Sequence, residues 1–137
     1  MVATRFALDV LVWKPHMDET NERTFPLAHY LLQCSYTTDA WAAMLKNPQN
    51  RSAAVQVAIQ NLGGKMDNFW LAFGDHDIVG ILEMPDNVGA SAFAMALAGG
   101  GAIKSVKTTP LMSLAEAVEA MKKAAKCGYK PVSAKRK

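Results

Sequence analysis

Along residues 28–36, AHYLLQCSY, the side chains Tyr30, Leu32, Cys34 and Tyr36 alternate with His29, Leu31, Gln33 and Ser35. A period of two with one strongly apolar face and one mixed face predicts a β-strand. Thr37, Thr38 and Asp39 then offer N-cap oxygens ahead of AWAAMLK, so a helix is predicted to follow. Asn47 and Pro48 interrupt it, and read as a second cap with proline at the first helical position. Beyond them Ala54, Val57, Ala58 and Leu62 fall on one side at helical spacing, and Gly63-Gly64 supplies the positive φ that closes a helix. The expectation is one long helix, bent near Pro48.

Two strand-like runs come next, KMDNFWLAF and HDIVGILEM, separated only by Gly74-Asp75, the tight connection of an antiparallel hairpin. Both carry large apolar groups at consecutive positions (Phe69, Trp70 and Leu71; Ile78, Val79, Ile81 and Leu82), which puts apolar side chains on both faces of a sheet. Asp86 caps NVGASAFAMALA, a compact helix ending at Gly99, Gly100 and Gly101. AIKSVKTTPLM is the fourth strand. Ser113 and Glu116 have capping-box spacing before LAEAVEAMKKAAK, a last helix stopped at Gly128. The order β-α-β-β-α-β plus a C-terminal helix is the split βαβ arrangement of a ferredoxin-like α+β fold with a four-stranded antiparallel sheet. Both long helices then cover one sheet face. The other face is apolar enough to require a second copy, which predicts a homodimer formed through the sheet.

Residues 1–26 show no sustained period and read as an N-terminal extension with one short element at 6–13, residues 27–127 as the domain, and 128–137 as a basic tail. Residues 122–137 carry seven basic and no acidic side chains, whereas the preceding 121 carry eight basic and twelve acidic. The globular part is therefore mildly acidic despite the net charge of +3. Without interleaved aromatics beyond Tyr129, the tail reads as solvated and not as a nucleic-acid arm. Cys34 and Cys127 lack the density of a disulfide framework and the spacing of a metal site, so both are expected as free thiols in a reducing, cytoplasmic setting. No apolar run reaches the roughly 18–20 residues that span a bilayer.

The run FWLAFGDHDIVGILEMP at residues 69–85 resembles the segment that names the GYD domain family, in which the second strand ends in Gly, a variable residue, an aromatic and Asp. Here these are Gly74, Asp75, His76 and Asp77, with histidine replacing the aromatic. YLLQCSYTTDAW, QNLGGKMDNFW and AFAMALAGGGAIKSVKTTPL resemble further segments of that family in the same order, over residues 28–121. The resemblance implies the dimeric α/β barrel superfamily. Its members include cofactor-independent monooxygenases, muconolactone isomerases, chlorite dismutase-type haem proteins and stress-responsive proteins, so fold alone assigns no activity.

The candidate acid/base groups are His29 and His76. Tyr30, Gln33, Trp70, Asp75 and Asp77 are candidate ligand contacts, with Lys107 a further polar candidate. His29 and Gln33 project the same way and could line a pocket between sheet and helices. Asp75 and Asp77 equally suit a turn, where their carboxylates accept from nearby backbone N–H groups. Asp75, His76 and Asp77 are consecutive, so in a strand they alternate faces and cannot converge on one ion; no metal is expected. No cofactor is expected either, since no second polar group orients an axial histidine for haem and the 99–101 glycines follow a helix instead of opening one. Two readings remain: a small oligomeric binding or structural module with a possible small hydrophobic ligand, or a cofactor-independent monooxygenase- or isomerase-like enzyme acting on a small aromatic or lactone.

Overall fold

A computed structural model describes residues 27–132 of the 137-residue chain, so the N-terminal extension and the end of the basic tail lie outside the described residues. The elements are β1 (Ala28–Tyr36), α1 (Thr38–Lys46), α2 (Ser52–Asn61), β2 (Lys65–Leu71), β3 (Ile78–Met84), α3 (Asn87–Gly99), β4 (Ile103–Leu111) and α4 (Leu114–Lys126). The four strands form one antiparallel sheet in the order β2-β3-β1-β4, the ferredoxin-like α+β arrangement. Within the single chain the sheet is open, with β2 and β4 as its edges. A barrel would need a second sheet.

The β1 alternation sorts its side chains between two faces. Tyr30, Leu32 and Cys34 are buried, and with Leu82 and Met84 of β3, Ile59 of α2, and Ala90 and Phe93 of α3 they form the hydrophobic core. Gly80 of β3 lies in this layer because the Phe69 ring occupies the space a Cβ would take. On the opposite face, register rows bring together Trp70, Val79, Gln33 and Lys107, then Asn68, Ile81, Leu31 and Thr109, then Lys65, Glu83, His29 and Leu111. None of these residues belongs to the core cluster.

Two boundaries differ from the sequence expectation. The long bent helix is two helices, separated by residues 47–51. Asn47 ends α1 at φ −137°, ψ 81°, outside the helical region that a following proline disfavours, and α2 begins only at Ser52, whose N–H donates to Asn50 Oδ1 at 2.9 Å. The two-residue hairpin is in fact a loop over residues 72–77, closed by Ala72 N–H donating to the Asp77 carbonyl at 2.8 Å. The remaining punctuation matches the expectation. Thr37 Oγ1 caps α1, Asp86 Oδ1 caps α3, and Ser113 and Glu116 form a reciprocal capping box on α4. Gly63, Gly101 and Gly128 take positive φ after α2, α3 and α4.

Leu32 has no exposed surface. Leu32→Ala should therefore lower unfolding stability by about 2–5 kcal/mol, measured by urea titration, whereas Leu45→Ala at a position 76% exposed should change it by less than about 0.5 kcal/mol.

Candidate functional site

A cavity of about 480 Å³ opens beside the broken helix, between the 47–52 segment and the end of the β2–β3 hairpin. Its apolar wall includes Tyr36, Trp41, Val55, Phe69 and Ile78, and its polar side comes from Gln49, Asn50 and Arg51. Pro48, Gln49, Asn50 and Arg51, from the break between α1 and α2, border this space. Tyr36 and Trp41 meet edge to face with ring centroids 5.3 Å apart. Asp77 fixes that corner: its Oδ2 accepts from Tyr36 N at 2.8 Å and from Trp41 Nε1 at 3.3 Å, while its backbone N–H donates to the Cys34 carbonyl at 2.8 Å. Burial raises the Tyr36 phenol above its ordinary range, with the Cys34 thiol and the Asp77 carboxylate acting in the same sense and Arg51 opposing. The volume suits a ligand of one or two rings.

The candidate residues distribute unevenly around this geometry. Trp70 borders the cavity, and Asp77 anchors its aromatic corner. Tyr30 is a core residue whose hydroxyl donates to Asn87 Oδ1 at 2.7 Å, so it tethers the start of α3 and walls no pocket. Asp75 contributes its backbone carbonyl, which accepts from Ser35 Oγ at 3.3 Å. His76 sits in the same loop, and its Nδ1 is buried with no hydrogen-bond partner among the described residues. His29 and Gln33 do project the same way, but onto the helix-free face, so the expected pocket between sheet and helices does not contain them. The physical reason is parity: Leu32 and Cys34 take the helix side, and odd positions must then face away. Gln33 pairs in register with Val79 and Lys107 there.

A second constellation was not visible in the sequence. His29 Nε2 lies 3.2 Å from Glu83 Oε1 and 3.8 Å from Asp67 Oδ2, and Lys65 Nζ is 3.8 Å from one oxygen of each carboxylate. Lys65, Glu83 and His29 share a register row, and Asp67 joins them as the extra residue of the irregularity between Met66 and Asn68. Beside this cluster a second hollow is bordered by His29, Leu111, Met112 and Glu116. Hydrogen bonds from the Ser113 backbone and hydroxyl hold the Glu116 carboxyl below its usual range, with a smaller contribution from His29.

Residues 30–121, from β1 into α4, match the profile of the GYD domain. The chain belongs to the GYD domain family. That span takes in β2, β3, β4, the cavity residues and β1 from Tyr30 onward, with Asp67 and Glu83 of the second constellation, while His29 lies one residue before it. No curated protein matches the chain. No described helix of this GYD protein is long and apolar enough to cross a membrane.

Burial pushes the Cys34 thiol up to about 11, while Cys127 is exposed. At neutral pH a disulfide-exchange reagent should therefore titrate one thiol quickly in the native protein and two after unfolding, and Cys127→Ser should remove the fast one. Asp77→Ala should destabilise the fold by about 1–3 kcal/mol, read by thermal or urea unfolding, because it strands two donors at the cavity corner.

Proposed function

We propose that this GYD domain is a self-associating binding module, pairing with a second copy across the helix-free face of its sheet. The supporting observation is a pair of apolar surfaces left without cover among the described residues. One is the sheet face itself, with Leu31, Val79 and Ile81 half-buried at its centre and Trp70 54% exposed at its edge. The other is the amphipathic α4, which buries no residue and presents Leu114, Val118 and Met121 at 87%, 47% and 67% exposure. An amphipathic helix gains its stability from docking that stripe, and a second copy offers the matching surface. In this reading the cavity near Trp41 holds a small hydrophobic ligand. A reducing, cytoplasmic setting goes with it, since Cys34 and Cys127 are both free.

The alternative, a cofactor-independent monooxygenase- or isomerase-like enzyme, draws its support from the aromatic walls of the cavity. Its weakness is catalytic: neither His29 nor His76 borders that space, and no carboxylate among the described residues does.

Light scattering after size exclusion should return twice the chain mass at micromolar concentration, and Leu31→Glu should halve it without loss of helical circular dichroism. A wild-type monomer throughout that range defeats the self-association reading. Ligand occupancy is a separate matter. Val55→Trp, which fills the cavity, should abolish the blue-shifted emission of an added anilinonaphthalene dye, and unchanged emission would place the dye elsewhere.

A further inference from the structure

We propose that His29, Asp67 and Glu83 form a binding site for one divalent transition-metal ion at the end of the helix-free sheet face. The three residues come from three adjacent strands, and one potential donor atom from each lies within 4.8 Å of the other two. The distances from His29 Nε2 to Glu83 Oε1 and Asp67 Oδ2, 3.2 and 3.8 Å, match those between donors of a single ion, because ligands about 2.0–2.2 Å from a metal stand roughly 3–4 Å from one another. One neutral imidazole nitrogen with two carboxylates presents two negative charges to a doubly charged ion. The mixed nitrogen and oxygen donors favour a borderline ion such as zinc or cobalt over magnesium or calcium, which take oxygen shells.

The backbone places these donors without help from long loops. His29 and Glu83 are direct cross-strand partners, so their side chains are neighbours on one face by register alone. The irregularity in β2 lets Asp67 reach the same face although Met66 and Phe69 pack toward the core. The side chains of His29, Asp67 and Glu83 are 52%, 24% and 20% exposed, so the carboxylates are partly shielded while the imidazole leaves an approach open. The hollow bordered by His29 and Glu116 adjoins that approach and leaves room for water in the remaining coordination positions.

The competing account is a plain ion-pair network, with Lys65 neutralising both acids. Its two contacts are long, at 3.8 Å each, and the Lys65 side chain is 68% exposed, so an incoming cation displaces it at small cost. The two accounts make opposite demands on Lys65. If the cluster is only an ion-pair network, removing the ammonium leaves two repelling carboxylates and nothing gained; if it is a metal site, removing the competing cation tightens binding.

The test is titration of the full, untagged chain with zinc and cobalt by calorimetry and by cobalt visible absorption, with native mass spectrometry for stoichiometry. The expected result is one ion per chain, reversed by a chelator. His29→Gln and Glu83→Gln should each weaken binding about 10-fold or more. Lys65→Met should strengthen it about five-fold, the value of one unit charge near 4 Å in water. Cys127→Ser should leave binding unchanged, which excludes the exposed thiol as the ligand. Circular dichroism confirms that each variant is folded, and all of these positions lie outside the core. Absence of saturable one-to-one binding, or equal binding by folded His29→Gln, overturns the proposal. Because stoichiometry is counted per chain, the outcome is independent of whether the protein self-associates.

Discussion

β1 is hydrogen-bonded along both sides, to β3 and to β4, and neither is the next strand in sequence, since β2 follows β1. A strand held this way cannot slip by one residue without moving every side chain to the wrong face. Leu32 and Cys34 are almost wholly buried on the helix side, so the register is fixed by what would be lost if they turned outward. The same alternation then has no freedom left for the other residues. His29, Leu31 and Gln33 must face away from the helices, and they carry the unassigned chemistry of the protein with them. Core and candidate site are two consequences of one period of two.

The helix-free face and α4 pose a single energetic problem. A helix of 13 residues is close to the length at which isolated helices are marginal in water. Its capping box contributes about 1 kcal/mol, which is small beside the cost of nucleating and ordering the segment. α4 nonetheless buries nothing among the described residues, although its apolar residues recur on one side and its polar face is paired through Lys122 and Glu119 at 2.9 Å. A docked stripe would supply that stability, and the sheet face that the described helices leave free, with Leu31, Val79 and Ile81 at its centre, offers apolar area of the kind that docking requires.

Much of the architecture was legible because local signals and global packing agree. The β1 alternation, the Thr37, Asp86 and Ser113 caps, and the glycines after α2, α3 and α4 each act within a few residues, and they mark the element order almost unaided. The misreadings share a different cause. Pro48 signals an interruption, but whether a chain bends or breaks there depends on the residues after it, and here Asn47 leaves the helical region and Asn50 Oδ1 takes the Ser52 N–H, so a new helix starts. Gly74-Asp75 resembles a tight turn, yet the closing bond joins Ala72 to Asp77 because Asp77 is drawn toward Tyr36 and Trp41 across the sheet end. Parity places His29 with Gln33, and it is the burial of Leu32 and Cys34 against the helices that turns both toward the opposite face. The His29, Asp67 and Glu83 grouping depends on strand order and on an irregularity in β2, both long-range properties without a local motif.

The position of that cluster reconciles the two roles argued for the helix-free face. Enclosing unpaired carboxylates costs several kcal/mol per ion even after relaxation, so a partner seated squarely over Asp67 and Glu83 would be opposed. On this face the row of Lys65, Glu83, His29 and Leu111 lies at one end, while Ile81 and Leu31 share the next row and Val79 the one after it. His29 remains half exposed at the margin. A second copy can therefore cover Leu31, Val79 and Ile81 and leave the charged end hydrated, and that arrangement keeps the donors open to a cation. The face divides along its own length, with assembly favoured where alternation has collected aliphatic groups and ion chemistry confined to the end where it has collected His29 and its acids.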